Sequence, residues 1–139
     1  MEINVLSAYQ TTAEEFFTKI IDWKADLVLD VRLKNTNQLS GFTKQEDLEY
    51  FTHVIAHADY VHDPEYAPSK TLLDKYLDDG LPYEEYFAEY KQEMEERDAI
   101  PQFFEKYGKY KSVAIVGTAT KKRHSHAEEL KILLEQSMK

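Results

Sequence analysis

The sequence LVLDVR at residues 27–32 is an apolar run that only Asp30 interrupts before Arg32. A run without regular polar alternation is typical of a strand covered on both faces, as strands are in a parallel sheet. Asp30 and Arg32 fall at the end of this strand. The stretch therefore predicts a buried parallel strand that delivers charged side chains to one edge of a sheet.

Segments of the same kind alternate with helical patterns through the rest of the chain. Short strand patterns occupy residues 3–8, 59–62 and 113–116, and helical patterns begin near Thr12, near Lys44, after Ser69, at Pro82 and after Pro101, with a final one before Leu130. This alternation predicts a three-layer α/β domain with a mostly parallel sheet of about four strands. Because 139 residues is the size of one ordinary domain, we expect a single α/β domain over residues 1–139.

The region before the last strand is helical and acidic. Residues 65–106 contain 5 basic and 12 acidic residues. Within it, aromatic and apolar side chains recur at three- and four-residue steps, a spacing that is more often core or helix-partner seam than a cofactor site: Tyr83, Tyr86, Phe87, Tyr90 and Met94. We expect an acidic helical insertion between the third and fourth strands.

Composition excludes several function classes. The net charge of −9 argues against general nucleic-acid binding, which needs clustered Lys and Arg. The absence of cysteine excludes disulfides, thiolate metal sites and cysteine nucleophiles. No apolar run approaches the roughly 20 residues of a membrane span, and the first residues lack a basic signal-peptide start. We therefore expect a soluble, cytoplasmic protein with no membrane partner.

Polar side chains follow each strand, and in a parallel sheet all of them would share one edge. The last segment, residues 107–139, has 7 basic and 3 acidic residues, so this edge would attract anions on an acidic molecule. The sequence thus predicts binding of a small anionic ligand, a nucleotide or sugar phosphate. The candidate ligand-binding residues are Arg32, Asn35, Gln38, Thr118, Lys121, His124, Ser125 and His126.

Some of these residues have a second interpretation. Arg32 either grips an anion through its two-pronged guanidinium or forms a salt bridge with Asp30. Ser125 is more simply a helix cap than a nucleophile. His53 and His57 have the four-residue spacing of a metal pair but no glutamate between them, so no metal site is predicted. The glycines fit neither a P-loop nor a dinucleotide fingerprint, and the sequence leaves any cofactor unknown.

Two other classes of function stay open from the sequence. One is an enzyme of hydrolase or transferase type, in which His126 or His62 is the general acid or base and Asp30 its partner. The other is a protein-interaction module, in which the aromatic stripe of residues 83–94 is partly exposed and pairs with another chain, a homodimer included. The candidate catalytic residues are therefore Asp30, His62 and His126.

Several blocks of this sequence together resemble the bacterial family known as domain of unknown function 488. The longest is DVRLKNTNQLSGF at residues 30–42, followed by DLEYF at 47–51, YVH at 60–62, EYAP at 65–68, LLDKY at 72–76 and the helix of residues 86–97. The resemblance covers nearly the whole chain. It implies a Rossmann-like α/β fold and an uncharacterised activity.

Compared with that family, this chain is divergent, because it lacks the family's cysteines. The family typically has a cysteine and a glutamate after the last strand, where this chain reads VGTA at residues 116–119. A Cys-His-Arg triplet that opens the family's last helix aligns with Ser125-His126-Ala127, which leaves only the histidine. Any family chemistry that needs a thiolate is therefore absent, since serine is a far weaker nucleophile and ligand. A retained pocket with fewer reactive groups favours binding, or a chemistry that never required the thiol.

Overall fold

The chain forms one sheet of four parallel strands. The computed structural model describes residues 1–34 and 38–139, and for residues 38–40 the backbone only. The strands are β1 (Glu2–Ser7), β2 (Leu27–Asp30), β3 (Asp59–His62) and β4 (Ser112–Gly117), and their order across the sheet is β1-β4-β2-β3. Every neighbouring pair is parallel, which confirms the predicted sheet.

Six α-helices connect and follow these strands. They are α1 (Ala13–Asp22), α2 (Gln45–Phe51), α3 (Lys70–Leu77), α4 (Tyr83–Glu96), α5 (Ala99–Tyr107) and α6 (His126–Ser137). The side chains of Thr12, Ser69 and Ser125 cap α1, α3 and α6 by accepting backbone N–H groups that have no partner within the helix. The helix expected after Pro101 begins earlier, at Ala99, because proline is tolerated in a first turn.

The sheet separates two apolar cores, and this gives the fold its three layers. Val28 faces the core formed with α1 and α2, whereas Leu27 and Leu29 face the core formed with the later helices. Helices α3, α4 and α5 form the predicted acidic insertion between β3 and β4. The fold is a three-layer Rossmann-like α/β fold. No helix of the described residues is long and apolar enough to cross a bilayer.

The aromatic stripe of α4 belongs largely to the core that the later helices form with Leu27 and Leu29. Tyr86, Tyr90 and Met94 are each at most 1% exposed. The Tyr90 hydroxyl donates to the Tyr66 carbonyl at 2.7 Å, so the buried phenol keeps a hydrogen-bond partner. The interpretation of this spacing as core is therefore confirmed.

The topology reverses at β4. Helix α6, which follows β4, packs on one face of the sheet, whereas α1 and α2, which follow the neighbouring strands β1 and β2, pack on the other. Loops that leave adjacent strands in opposite directions open a crevice at the carboxyl edge of a parallel sheet. The strand register places Asp30 beside both Val116 and His62. The segments that follow β2, β3 and β4 therefore meet at one edge, as predicted.

Close approach between β4 and α6 requires Gly117. A Cβ atom at this position would lie 2.5 Å from the Ala127 Cβ and 2.7 Å from the Ser125 Oγ. Both neighbours are fixed, since Ala127 is fully buried and Ser125 caps the helix. Gly117 thus determines how tightly the start of α6 packs against the end of the sheet.

We expect Gly117→Ala to lower the free energy of unfolding by about 1–3 kcal/mol, the usual cost of overpacking a well-filled site. Urea denaturation followed by circular dichroism measures it. Gln136→Ala, on the exposed face of the same helix, is the matched control and should change stability by less than about 0.5 kcal/mol. Equal stability of the wild type and Gly117→Ala would show that α6 can move away from the sheet at no cost.

Candidate functional site

A cleft of about 580 Å³ lies at this carboxyl edge. The exits of three strands and one face of α3 line it. Its lining residues are Tyr9 after β1, Arg32, Leu33 and Lys34 after β2, Thr118, Thr120 and Arg123 after β4, His126 at the start of α6, and Lys70, Leu73, Asp74 and Leu77 in α3. The cleft therefore coincides with the topological crevice, where ligands of open parallel sheets bind.

Positive charge dominates this cleft. Its lining contains four permanently cationic side chains (Arg32, Lys34, Lys70 and Arg123) and one carboxylate, Asp74. The Lys70 ammonium pairs with the Asp74 carboxylate at 2.7 Å. The side chains of Lys34 and Arg123 have no hydrogen-bond or ion-pair partner within the described part of the chain. The positive charges of these two lining residues are thus not paired with a carboxylate of the described structure.

The base of the cleft is a buried ion pair between Asp30 and Arg32. The Arg32 Nε donates to Asp30 Oδ1 at 2.9 Å and the Arg32 Nη2 donates to Asp30 Oδ2 at 2.8 Å, in the two-pronged geometry of the strongest ion pairs. Arg32 is 4% exposed and Asp30 is fully buried. The salt-bridge alternative for Arg32 is therefore present, and the same side chain also lines the cleft.

Further contacts fix this pair. The Arg32 Nη2 also donates to the Thr43 carbonyl at 2.6 Å, and the Tyr60 hydroxyl donates to Asp30 Oδ2 at 2.6 Å. Burial alone would lower the pKa of Arg32, but its hydrogen bonds with Asp30 raise it overall, so the guanidinium stays charged. The pair is a fixed part of the fold.

His126 is the buried polar residue of the lining. It is 2% exposed, occupies the first position of α6 and lies within 2.8 Å of the Val31 carbonyl oxygen through its Nε2. Because a carbonyl cannot donate, the Nε2 carries the proton. Burial lowers the pKa of His126 to about 4, so the imidazole is neutral near pH 7. Its Nδ1 is buried and has no hydrogen-bond partner in the described structure.

The turn between β4 and α6 is held by hydrogen bonds from β1. The Ser7 hydroxyl donates to the Ala119 carbonyl, and the Gln10 Oε1 accepts the Lys121 N–H at 2.7 Å. The turn closes through the Thr120 N–H, which donates to the Arg123 carbonyl at 2.8 Å. This network places Arg123 at the cleft while leaving its side chain exposed.

Other predicted residues of this turn lie outside the lining. Lys121 is exposed, and the His124 imidazole packs on the Tyr83 ring at 4.3 Å and pairs with Glu128 at 2.8 Å. The Ser125 hydroxyl accepts from the N–H of Ala127 as part of a capping box, which agrees with the capping interpretation. A ligand role for these three residues stays a prediction.

Two predicted ligand-binding residues cannot be placed relative to the cleft. Asn35 lies outside the described residues, and of Gln38 only the backbone is described, at the start of a 3₁₀ segment (Gln38–Thr43). Their roles remain predictions.

The exit of β3 contributes to the fold and not to the cleft lining. The His62 Nε2 lies 2.8 Å from the Arg32 carbonyl oxygen, so this histidine tethers the loop after β2. Asp63 accepts from the Lys106 ammonium at 2.7 Å and from the Tyr107 hydroxyl at 2.6 Å. Within the described residues, no group of three or more metal-ligating side chains is close enough to hold an ion. The catalytic roles considered for His62, His126 and Asp30 stay predictions.

Sequence reasoning missed the contribution of α3. Lys70, Leu73, Asp74 and Leu77 line the cleft, and their spacing is that of one helix face. Of the leucines of this helix only Leu72 is buried, whereas Leu73 and Leu77 are more exposed and line the cleft. The sequence did contain a signal for this role, because two charged residues alternate with two leucines on that helix face.

Comparison of the sequence with known protein families places the chain in one of them. The sequence profile of the family described as "Domain of unknown function DUF488" matches residues 12–134. The chain therefore belongs to this class of α/β proteins, in a form that has no cysteine. Among curated proteins and among solved structures, none matches the chain significantly.

Removing one partner of the buried Asp30–Arg32 pair should lower the free energy of unfolding far more than removing one partner of an exposed ion pair. Arg32→Ala removes the cationic partner that lies against the buried Asp30 carboxylate, and we expect a loss of about 3–5 kcal/mol in the free energy of unfolding. Lys70→Ala is the matched control, because it breaks an exposed pair, and it should leave stability nearly unchanged. Equal urea midpoints for the two variants would contradict the structural role of the buried pair.

His126 should make stability depend on pH. Its folded pKa of about 4 lies below the ordinary histidine value of 6.5, so within that window the unfolded chain binds a proton that the folded chain does not. The free energy of unfolding therefore falls as the pH falls from 6.5 towards 4, by up to about 3 kcal/mol.

Urea denaturation at a series of pH values measures this slope. His126→Gln should flatten it, whereas the exposed His124→Gln should not. An unchanged slope in His126→Gln would show that the titrating group is elsewhere.

Proposed function

We propose that this protein binds a small molecule with one anionic group and a less polar remainder, a nucleotide or a sugar phosphate, in the cleft at the carboxyl edge of the sheet. The observation that carries the proposal is the excess of cationic side chains in that cleft on a molecule of net charge −9. Concentrated positive charge on an acidic protein needs a local reason, and an anionic ligand supplies one.

The two uncompensated cations are the anion-binding groups of this proposal. Asp30 and Asp74 neutralise Arg32 and Lys70, which leaves Lys34 and Arg123 to meet an incoming charge. Arg123 offers the planar, multi-donor geometry that suits phosphate and carboxylate oxygens. The positive end of the α6 dipole adds to their field, since this twelve-residue helix starts at the cleft.

The rest of the cleft suits the uncharged part of such a ligand. Leu33, Leu73 and Leu77 form an apolar side, and the hydroxyls of Tyr9, Thr118 and Thr120 offer hydrogen bonds. The volume of about 580 Å³ lies in the usual range for small-molecule sites. This mixture supports a ligand with a body beyond its anion, in preference to a bare inorganic ion.

Arg123→Ala should remove most of the stabilisation that the wild type gains from ribose 5-phosphate or from a nucleoside monophosphate. Arg123 is exposed, so its loss should leave the melting temperature of the free protein unchanged. Thermal shift and isothermal titration calorimetry measure the two effects, and we expect affinity to fall at least about tenfold.

Lys122→Ala is the matched control, because Lys122 lies in the same turn but not in the cleft lining. Lys121→Ala tests the separate prediction that Lys121 contacts the ligand. Equal losses in Arg123→Ala and Lys122→Ala would mean that only net charge matters. A full response in Arg123→Ala would reject the assignment of the anion site.

A further inference from the structure

The orphaned Nδ1 of His126 defines a further requirement on the ligand of the cleft. The Nε2 proton is committed to the Val31 carbonyl at 2.8 Å, which fixes the tautomer and leaves a lone pair on Nδ1. Burial of that lone pair without a donor is costly, because water no longer satisfies it. A lone pair held in this way at a cleft is prepared to accept a hydrogen bond.

The neighbouring groups do not supply the missing donor. The Tyr90 ring lies 5.5 Å from the imidazole, centroid to centroid, and its hydroxyl already donates to the Tyr66 carbonyl. The Tyr60 hydroxyl, another buried phenol, donates to Asp30. His126 therefore lies in the cleft lining with a buried acceptor that the described protein groups do not satisfy.

We propose that the ligand donates a hydrogen bond from a hydroxyl group to His126 Nδ1 while its anionic group lies on Arg123 and Lys34, so that the ligand is a phosphorylated polyol such as a sugar phosphate. The inference rests on the proposed function and narrows its substrate class. A phosphate oxygen cannot fill this position, because a fully ionised oxygen only accepts and would face the lone pair unfavourably. A hydroxyl donates, and it satisfies the buried nitrogen.

Two ligands that differ only in hydroxyl groups test the inference. Glycerol 3-phosphate and propyl phosphate have the same number of carbon atoms and the same anionic group. We expect calorimetry to show that wild-type protein binds glycerol 3-phosphate about tenfold more tightly than propyl phosphate, since a buried acceptor is satisfied only by the first. Propyl phosphate should still respond to Arg123→Ala.

His126→Leu removes the Nδ1 acceptor together with the Nε2–H donor, because a leucine side chain has no polar atom. In this variant, the affinities for the two phosphates should become equal within about twofold, through a loss for glycerol 3-phosphate alone. An unchanged preference for glycerol 3-phosphate would overturn the role of Nδ1. The His124→Gln variant should keep the wild-type preference, because His124 is not in the cleft lining.

A measurement on the wild type avoids any dependence on the folding of the variant. In ¹⁵N-labelled protein, the unprotonated Nδ1 of His126 has a distinctive chemical shift, which moves upfield when the nitrogen accepts a hydrogen bond. We expect glycerol 3-phosphate to move it and propyl phosphate to leave it in place. The same small response to both ligands would contradict the inference.

The outcomes separate this inference from the proposal on which it rests. Equal binding of both phosphates, lost in Arg123→Ala, would reject the hydroxyl contact and keep the anion site. Absence of binding by ribose 5-phosphate, a nucleoside monophosphate and both test phosphates would reject the two together. Preference for glycerol 3-phosphate, with a displaced Nδ1 signal, would support both.

Discussion

The buried pair of Asp30 and Arg32 is the interaction on which the arrangement of the site depends. Two opposite charges, at most 4% exposed, are stable at the end of a strand because they pair with each other and further hydrogen bonds hold both. Those bonds reach Tyr60 on β3 and the Thr43 carbonyl before α2, so one ion pair holds together the loops at this edge. The cleft is built on this fixed base.

The pair also decides which charges remain for a ligand. Since Asp30 neutralises Arg32, the guanidinium serves chiefly to position the loop after β2. The uncompensated charge of the lining lies instead on Lys34 and Arg123. Burial then keeps His126 neutral, and its position at the start of α6 follows from the close contact that Gly117 permits. A preformed cleft, in which the unpaired cations and the buried imidazole hold separate positions, results from these constraints.

Much of the fold followed from local patterns, and less of the site did. The apolar run of residues 27–31 and the caps at Thr12 and Ser69 depend on nearest neighbours, which a sequence displays directly. The capping role of Ser125 could be predicted from the sequence for the same reason. The division of α3 into a buried side and a cleft side depends on where a distant turn lies, so the sequence alone did not show that Leu73 and Leu77 line the cleft. Arg123 and Lys121 are neighbours in a basic run, and only the hydrogen-bonded turn shows that Arg123 lines the cleft.

A titration of ¹⁵N-labelled protein with ribose 5-phosphate, followed by backbone amide shifts, tests most directly whether an anion occupies the crevice beside β4. The account predicts saturable changes confined to the loop after β2 at residues 33–34, the turn at residues 118–123, the start of α6 and the cleft side of α3. Changes centred on the opposite edge of the sheet, or none at millimolar ligand, would contradict it.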